Sequence, residues 1–317
     1  MYSVLFKSYL FGQSMFTVLL LCCLTAGYTN SEYTYKANGS LTVPEKKPYT
    51  PQGGFGNNGS EPVYAPLSDF DYQSLNLALY QEHIELDLFL YGLSKFSKQE
   101  YKDAGLGPAD RFLIKFMADQ EVGHATMLTN ILGPTAAKPC AYQYPFKTVR
   151  EFIDFCQKLT RFGESGVYGF IEHLDSRPAA QLLLQSITTE ARQQMIFRQF
   201  GGLFPVPVWF EAGITQSMAW TLLAPYIVSC PESNLGSRKL AWQNFPALTI
   251  TNNPSVVPPN NTNEVFNARI TPAKNRTIPI SYAGRKVTFT WETPGKRVGP
   301  NKAYITSSSA GESIFFY

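Results

Sequence analysis

Charge is scarce in this chain. Asp, Glu, Lys and Arg make up 16% of its 317 residues and leave a net charge of +3. Lys and Arg are nowhere clustered, so the chain lacks the dense positive patch that nucleic acid or an acidic membrane surface requires. Long apolar runs are missing from its interior as well. The segment from Ile214 to Val228 is interrupted by Gln216, Ser217 and Pro225 and reads as a buried helix, so no transmembrane helix is expected once the N-terminal segment is removed. Also absent are a Gly-x-Ser-x-Gly elbow, a phosphate-cradling glycine loop and a Cys-x-x-Cys pair. Aromatic residues are abundant at 14% but are spread over helix faces, which suits core packing better than a sugar platform.

The N-terminus reads as a secretory signal over residues 1–27. Lys7 precedes an uncharged apolar stretch from Met15 to Ala26, followed by small residues. An apolar core of about 10–14 residues is short for a bilayer span and suits a signal peptide. Four glycosylation sequons, at Asn38, Asn58, Asn260 and Asn275, agree with export, so the expected protein is a secreted or cell-surface glycoprotein. With Cys22 and Cys23 in the signal, three cysteines remain, enough for one disulfide in an oxidising compartment. Cys140 and Cys230 both neighbour proline in loop-like segments, whereas Cys156 lies in a helical pattern. A Cys140–Cys230 bond and a buried free Cys156 are therefore expected.

Residues 28–67 form a low-complexity leader rich in Gly, Pro, Asn, Ser and Tyr, a composition unable to build a core. A helical domain is expected over residues 68–232, with Asp69 or Asp71 capping its first helix. That helix carries Leu75, Leu79, Glu82, Leu86, Phe89 and Leu93 at alternating spacings of three and four. Ser97 to Glu100 is a capping box for a short connecting helix. A second long helix, from about Asp110 to Leu132, places Ile114, Met117, Glu121, His124 and Leu128 on one face before Gly133-Pro134 stops it. Thr148 to Glu151 opens a third, through about His173, with Ile153, Gln157, Thr160, Glu164, Val167 and Ile171 inward. The fourth starts at Ser176-Arg177-Pro178 and carries Leu183, Ile187, Glu190, Gln193 and Phe197. A fifth, apolar nearly all round, is expected from about Trp209 to Leu223. Residues 233–317 then read as a linker and a small β-rich region. Asn244 to Asn263 is linker-like, Lys286 to Trp291 alternates as a strand, and Tyr304 to Thr306 and Ser313 to Tyr317 are further candidate strands. The fold class is mainly α: a four-helix bundle with a fifth helix and a small C-terminal β segment.

Four of the inward stripes each hold a carboxylate: Glu82, Glu121, Glu164 and Glu190. Glu121 belongs to a Glu-x-x-His pair with His124. A carboxylate-bridged two-metal site in a four-helix bundle takes one Glu from each of two helices and a Glu-x-x-His from each of the other two. The fourth segment here reads Glu190-Ala191-Arg192-Gln193, with Gln where the second His would stand. Iron and manganese favour carboxylate oxygen with imidazole as a nitrogen partner, and residues at i and i+3 share a helix face. Burying four carboxylates without a cation would carry a heavy desolvation cost. Glu85, one turn beyond Glu82 on a neighbouring face, rivals it as the first ligand. His83 should face away from the site, and His173 sits at a helix C-terminus where it can interact with the dipole.

Leu75 to Glu82, the Glu121-x-x-His124 helix, Glu164 and Glu190-x-x-Gln193 resemble the ferritin-like domain of secreted fungal proteins linked to stress response and late sexual development. Cys230 to Asn234 and Thr290 to Lys296 resemble later signatures of that family. The resemblance implies a ferritin-like bundle whose di-iron-type site, holding up to two iron or manganese ions, takes Glu82, Glu121, His124, Glu164 and Glu190 as ligands. Gln193 departs from the wider superfamily, which places His there, and an amide oxygen is a poorer iron ligand. The chain stops soon after the Thr290 signature, where relatives continue, which implies a shortened β part. A non-catalytic surface or wall protein that retains the bundle without metal is the alternative, with cell-wall or surface components as partners. A carbohydrate-binding surface protein is a third reading.

Overall fold

The computed structural model describes residues 62–252, apart from 204 and 207, and residues 286–308. The signal segment, most of the leader, all four sequons and the candidate strand Ser313 to Tyr317 lie outside the described residues. The helices are α1 (Asp69–Lys95), α2 (Lys98–Asp103), α3 (Pro108–Leu132), α4 (Val149–Phe170), α5 (Arg177–Phe200) and α6 (Gln216–Leu223). The short strands are β1 (Ala141–Tyr142), β2 (Ile227–Ser229), β3 (Leu248–Ile250), β4 (Phe289–Trp291), β5 (Arg297–Val298) and β6 (Tyr304–Ile305). None of the helices among the described residues is long and apolar enough to cross a membrane.

Four long helices build the bundle, α1 packing on α3 and α4, and α4 on α5. Cross-helix contacts show that neighbours run antiparallel. Along α1, Gln81 bonds to Leu159 of α4, while Gly92, further on, meets the earlier Phe152. Between α3 and α5, Gln120 meets Gln193 while His124 meets the earlier Thr189. The α1–α4 approach depends on Gly92, because a Cβ there would lie 2.2 Å from the Phe152 ring. Phe152 itself is fully buried, a gain of about 1.5–3 kcal/mol over leaving such a side chain in water.

Helix starts follow local chemistry. Thr148 caps α4 and Ser97 caps α2, each in a reciprocal box with the glutamate three residues on. Ser68 caps α1, through its hydroxyl to the Asp71 N–H. Asp71, one of the two expected caps, has a different task. Its buried carboxylate accepts from the backbone N–H groups of Leu67 (3.0 Å), Asp175 (2.8 Å) and Ser176 (3.0 Å), tying the start of α1 to the start of α5.

Helix α6 begins at Gln216, capped by Thr215, rather than near Trp209. The residues before it lie against α4 and are held there in a non-helical path. Ile214 N–H donates to the Ser165 carbonyl at 2.9 Å, and Gly213 packs backbone to backbone on Gly169. A Cβ at Gly169 would sit 1.8 Å from the Ile214 carbonyl oxygen, so two glycines make this crossing possible. Arg161 pairs with Glu211 in the same stretch.

Among the described residues the strands form three two-stranded antiparallel ladders, β1–β2, β3–β4 and β5–β6. Cys140 and Cys230 are disulfide-bonded beside the β1–β2 ladder, as expected, and Cys156 is buried and free. The alternating segment around Phe289 pairs with Leu248–Ile250, a strand inside the stretch expected to be linker-like. Its isolated Leu-Thr-Ile is too short to stand out from the polar residues around it. The later residues pack on the bundle: Tyr304 meets Trp220 edge to face, and Trp242 Nε1 donates to the Gln73 carbonyl.

Candidate metal centre

The helical periodicity of α1, α3 and α5 brings Glu82, Glu121, His124 and Glu190 to one point in the bundle. One ligand atom from each lies within 4.8 Å of all the others. Glu121 is completely buried, and Glu82 and Glu190 are 2% and 1% exposed. His124 Nδ1 stands 3.0 Å from Glu121 Oε2, 3.2 Å from Glu82 Oε2 and 3.6 Å from Glu190 Oε1.

The imidazole is oriented from its other side. Thr189 donates its only hydroxyl proton to the Ser186 carbonyl at 2.6 Å, so its oxygen accepts from His124 Nε2 at 3.0 Å. That places a proton on Nε2 and leaves Nδ1 facing the carboxylates, the arrangement a metal-ligating histidine needs. Gln193 donates through Nε2 to Glu121 Oε1 and, at 3.2 Å, to Gln120 Oε1.

Glu164 and Glu85 occupy different places. Glu164, on α4, is buried and close enough to Glu190 to act on it, but it stands outside the four-residue group. Burial, then the charge of Glu211, push its carboxyl up to about 7 against the pull of Arg161. Glu85 lies beside the group, fully buried and within the fields of Glu190, Glu121 and His124. His83 points elsewhere, its Nε2 3.3 Å from the Ala137 carbonyl.

Electrostatics follow from packing these groups together out of water. Burial pushes the Glu82 carboxyl well above the usual range and Glu121 adds to it. Burial and then Glu190 do the same at Glu85, and burial and then Glu82 at Glu190. For His124, burial opposes the charged ring, but the hydrogen bond and charge of Glu121 with the fields of Glu190 and Glu85 outweigh it, raising the pKa. Buried oxygens remain without hydrogen-bond partners: Glu85 Oε2, Glu164 Oε1, Glu190 Oε2 and Gln193 Oε1. Several buried carboxyl groups sharing one histidine, with bare oxygens left over, fit a divalent cation held by Glu82, Glu121, His124 and Glu190.

Sequence periodicity did not single out Gln81, Thr189 or Gln120, although each fixes or contacts a member of the site. Gln81 is four residues before Glu85, a spacing at which helical side chains meet. Thr189 and Gln120 carry no comparable signal, since their partners come from another helix. Beside the centre, a narrow pocket lined by Gln81, Glu82, Gly163, Phe170, Glu190 and Leu223 has room for about one water-sized molecule, about 20 Å³.

A four-helix bundle with a buried carboxylate–imidazole group at its middle defines a ferritin-like protein. The sequence model of the ferritin-like domain matches residues 70–202, the span of the four long helices. The chain is also 57% identical over 291 residues to Protein rds1 of Schizosaccharomyces pombe (strain 972 / ATCC 24843), covering 88% of this chain and 71% of that protein. This chain belongs to the fungal ferritin-like family.

Proposed function

We propose that this is a secreted ferritin-like protein that binds iron or manganese at Glu82, Glu121, His124 and Glu190, with Glu164 close by. The observation that carries the reading is the buried group of three carboxylates and one imidazole within 4.8 Å, beside partnerless carboxylate oxygens. Secretion rests on the signal-like N-terminus and the sequons, and the stress-response and developmental setting rests on the family resemblance. A bound ion supplies redox or Lewis-acid chemistry in a site screened from bulk water. The chain's own residues do the rest. Thr189 holds the imidazole with Nδ1 inward, Gln193 steadies Glu121, and the small pocket beside Glu82 and Glu190 has room for about one water-sized molecule. Metal loading displaces protons from these raised carboxyls and from His124 Nδ1, so uptake strengthens as pH rises.

Metal analysis of the secreted, chelator-free chain tests the reading. Iron or manganese at one or two ions per chain is expected, and none in Glu121→Ala, which removes the carboxylate that both His124 and Gln193 contact. A wild type that stays metal-free when offered Fe(II) and Mn(II) would leave the alternative, a cell-surface or wall protein that keeps the bundle for structure. That alternative draws on Gln193, whose amide nitrogen, not a second imidazole, faces Glu121. Thr189→Val provides a finer check. It keeps the shape and removes the acceptor of His124 Nε2–H, so metal affinity should fall about 10–100-fold with the fold intact. Unchanged affinity would mean that the ring is held by something else.

A further inference from the structure

Charged residues are few in this chain, yet folding gathers four cations at one corner of the bundle. Lys98 and Lys102 on α2 and Arg111 and Lys115 on α3 line a cleft of about 660 Å³. A cleft of that volume is of a size that holds small organic ligands. Each pair is spaced i,i+4, so like charges stand one turn apart on the same helix and repel. No carboxylate among the described residues lines the cleft to offset them. The acids nearby are engaged elsewhere: Glu100 accepts from the Ser97 N–H, Asp103 from Gln99, and Asp110 from the Gly107 N–H. Asp119 pairs with Lys115, an exposed contact of small worth, and Lys98 and Lys102 have no ion pair among the described residues. Arg111 is fixed in place without a carboxylate. Its guanidinium carbon lies 4.4 Å from the Tyr101 ring centre, and its nitrogens donate to the Leu93 and Phe96 carbonyls at 3.3 and 3.4 Å. The cleft is also apolar between these charges. Leu106 is buried there, and the Phe112 ring beside it is 70% exposed.

We propose that this cleft binds a small aromatic anion, a carboxylate or sulfonate whose ring packs on Phe112 while its charged group meets Lys98, Lys102 and Arg111. An inorganic anion would neutralise the cations and leave the Phe112 ring in water. A neutral ring would cover Phe112 and leave the cations unpaired. An aromatic anion does both, through ring contact and charge-assisted hydrogen bonds in one cleft. The site is separate from the metal centre: ten residues of α3, about 15 Å of helix, lie between Arg111 and Glu121.

The test is a fluorescence titration of the full chain with anilinonaphthalene sulfonate, an aromatic sulfonate that brightens on binding. One saturable site is expected, weakening as ionic strength rises. Lys98→Ala combined with Lys102→Ala should lower the affinity by about tenfold or more, and Phe112→Ala by about tenfold. All three side chains are exposed, so neither variant disturbs the core. The neutral phenylnaphthylamine should bind at least about tenfold more weakly than the sulfonate, and inorganic phosphate should displace it only at far higher concentration than an aromatic acid. Trp209, 96% exposed in the stretch before α6, supplies the control, and Trp209→Ala should leave the affinity unchanged. Affinity that survives loss of both lysines or of Phe112, or that falls with Trp209→Ala instead, overturns the proposal. So does a neutral ring that binds as tightly as the sulfonate, or phosphate that competes as well as an aromatic acid.

Discussion

Freed of metal, the protein should melt at a lower temperature at pH 7.5 than at pH 5, and loading with Mn(II) should reverse that order. The sign comes from proton linkage. Glu82, Glu85 and Glu190 have folded-state pKa values well above the usual 4.5, so between that value and their folded values the native state holds protons that the unfolded chain releases. Their stabilisation is complete below about 4.5 and is lost as pH rises. Glu164 follows the same course up to about 7, and His124, raised from 6.5, continues it. His83 works the other way, because burial lowers its pKa, but it is one group against five. The lowered carboxyls of Glu100 and Glu151 affect stability only on the acid side of 4.5.

Glu164 gives the scale. A shift from 4.5 to about 7 in a residue 1% exposed is worth about 3 kcal/mol by linkage, so a fall in Tm on the order of 10 °C is expected in chelator. With a cation in place of the protons, the ligands must be deprotonated, and the dependence on pH inverts. Calorimetry at the two pH values, with chelator and with Mn(II), reads both halves. A metal-free melting temperature that rises between pH 5 and 7.5 would show that these carboxylates are not held protonated in the fold.

Replacing Asp71 by alanine should cost about 3–5 kcal/mol, among the largest effects of any single change outside the metal centre. Asp71 is fully buried and accepts three backbone N–H groups, two of them at the turn that starts α5. Alanine leaves all three donors without their partner, and an unsatisfied buried donor costs about 1–3 kcal/mol. Asp71→Asn retains one acceptor oxygen and should lose roughly half as much. Urea unfolding monitored by circular dichroism measures both variants. A loss below about 1 kcal/mol for alanine would mean that water or a neighbouring side chain takes over the donors. Because α5 carries Glu190 and Gln193, loosening its start should also weaken metal binding.

Much of this architecture is written locally. The capping boxes at Ser97 and Thr148, Gly133-Pro134 after α3 and Pro178 at the start of α5 act within a turn or two of their own helix, so they can be read one residue after another. Glu121 and His124 share a face of α3 through helix geometry alone, and the 3.6-residue period places Glu82 and Glu190 on inward stripes. The disulfide was legible because only two of the three later cysteines lie in loops.

Other features depend on what each helix meets. In α1, residues 73–82 are buried without interruption, because α3, α4 and α6 all cover it. Periodicity loses its power to rank faces on such a helix, and so it left Glu82 and Glu85 as rivals when the fold buries both. The start of α6 was misplaced because an apolar sequence compatible with helix is held instead by Ser165 and the Gly169–Gly213 contact. Glu164 sits on an inward stripe of α4, yet it stands apart from the four-residue group, a distance fixed by helix packing. By itself the sequence determined the inward faces of α3 and α5 and the capped starts of α2, α4 and α5, since those follow from bonds within a few residues. Only the tertiary structure decided which inward carboxylates meet, which amide or hydroxyl steadies each, and which oxygens are left bare, because those depend on contacts between helices far apart in the chain.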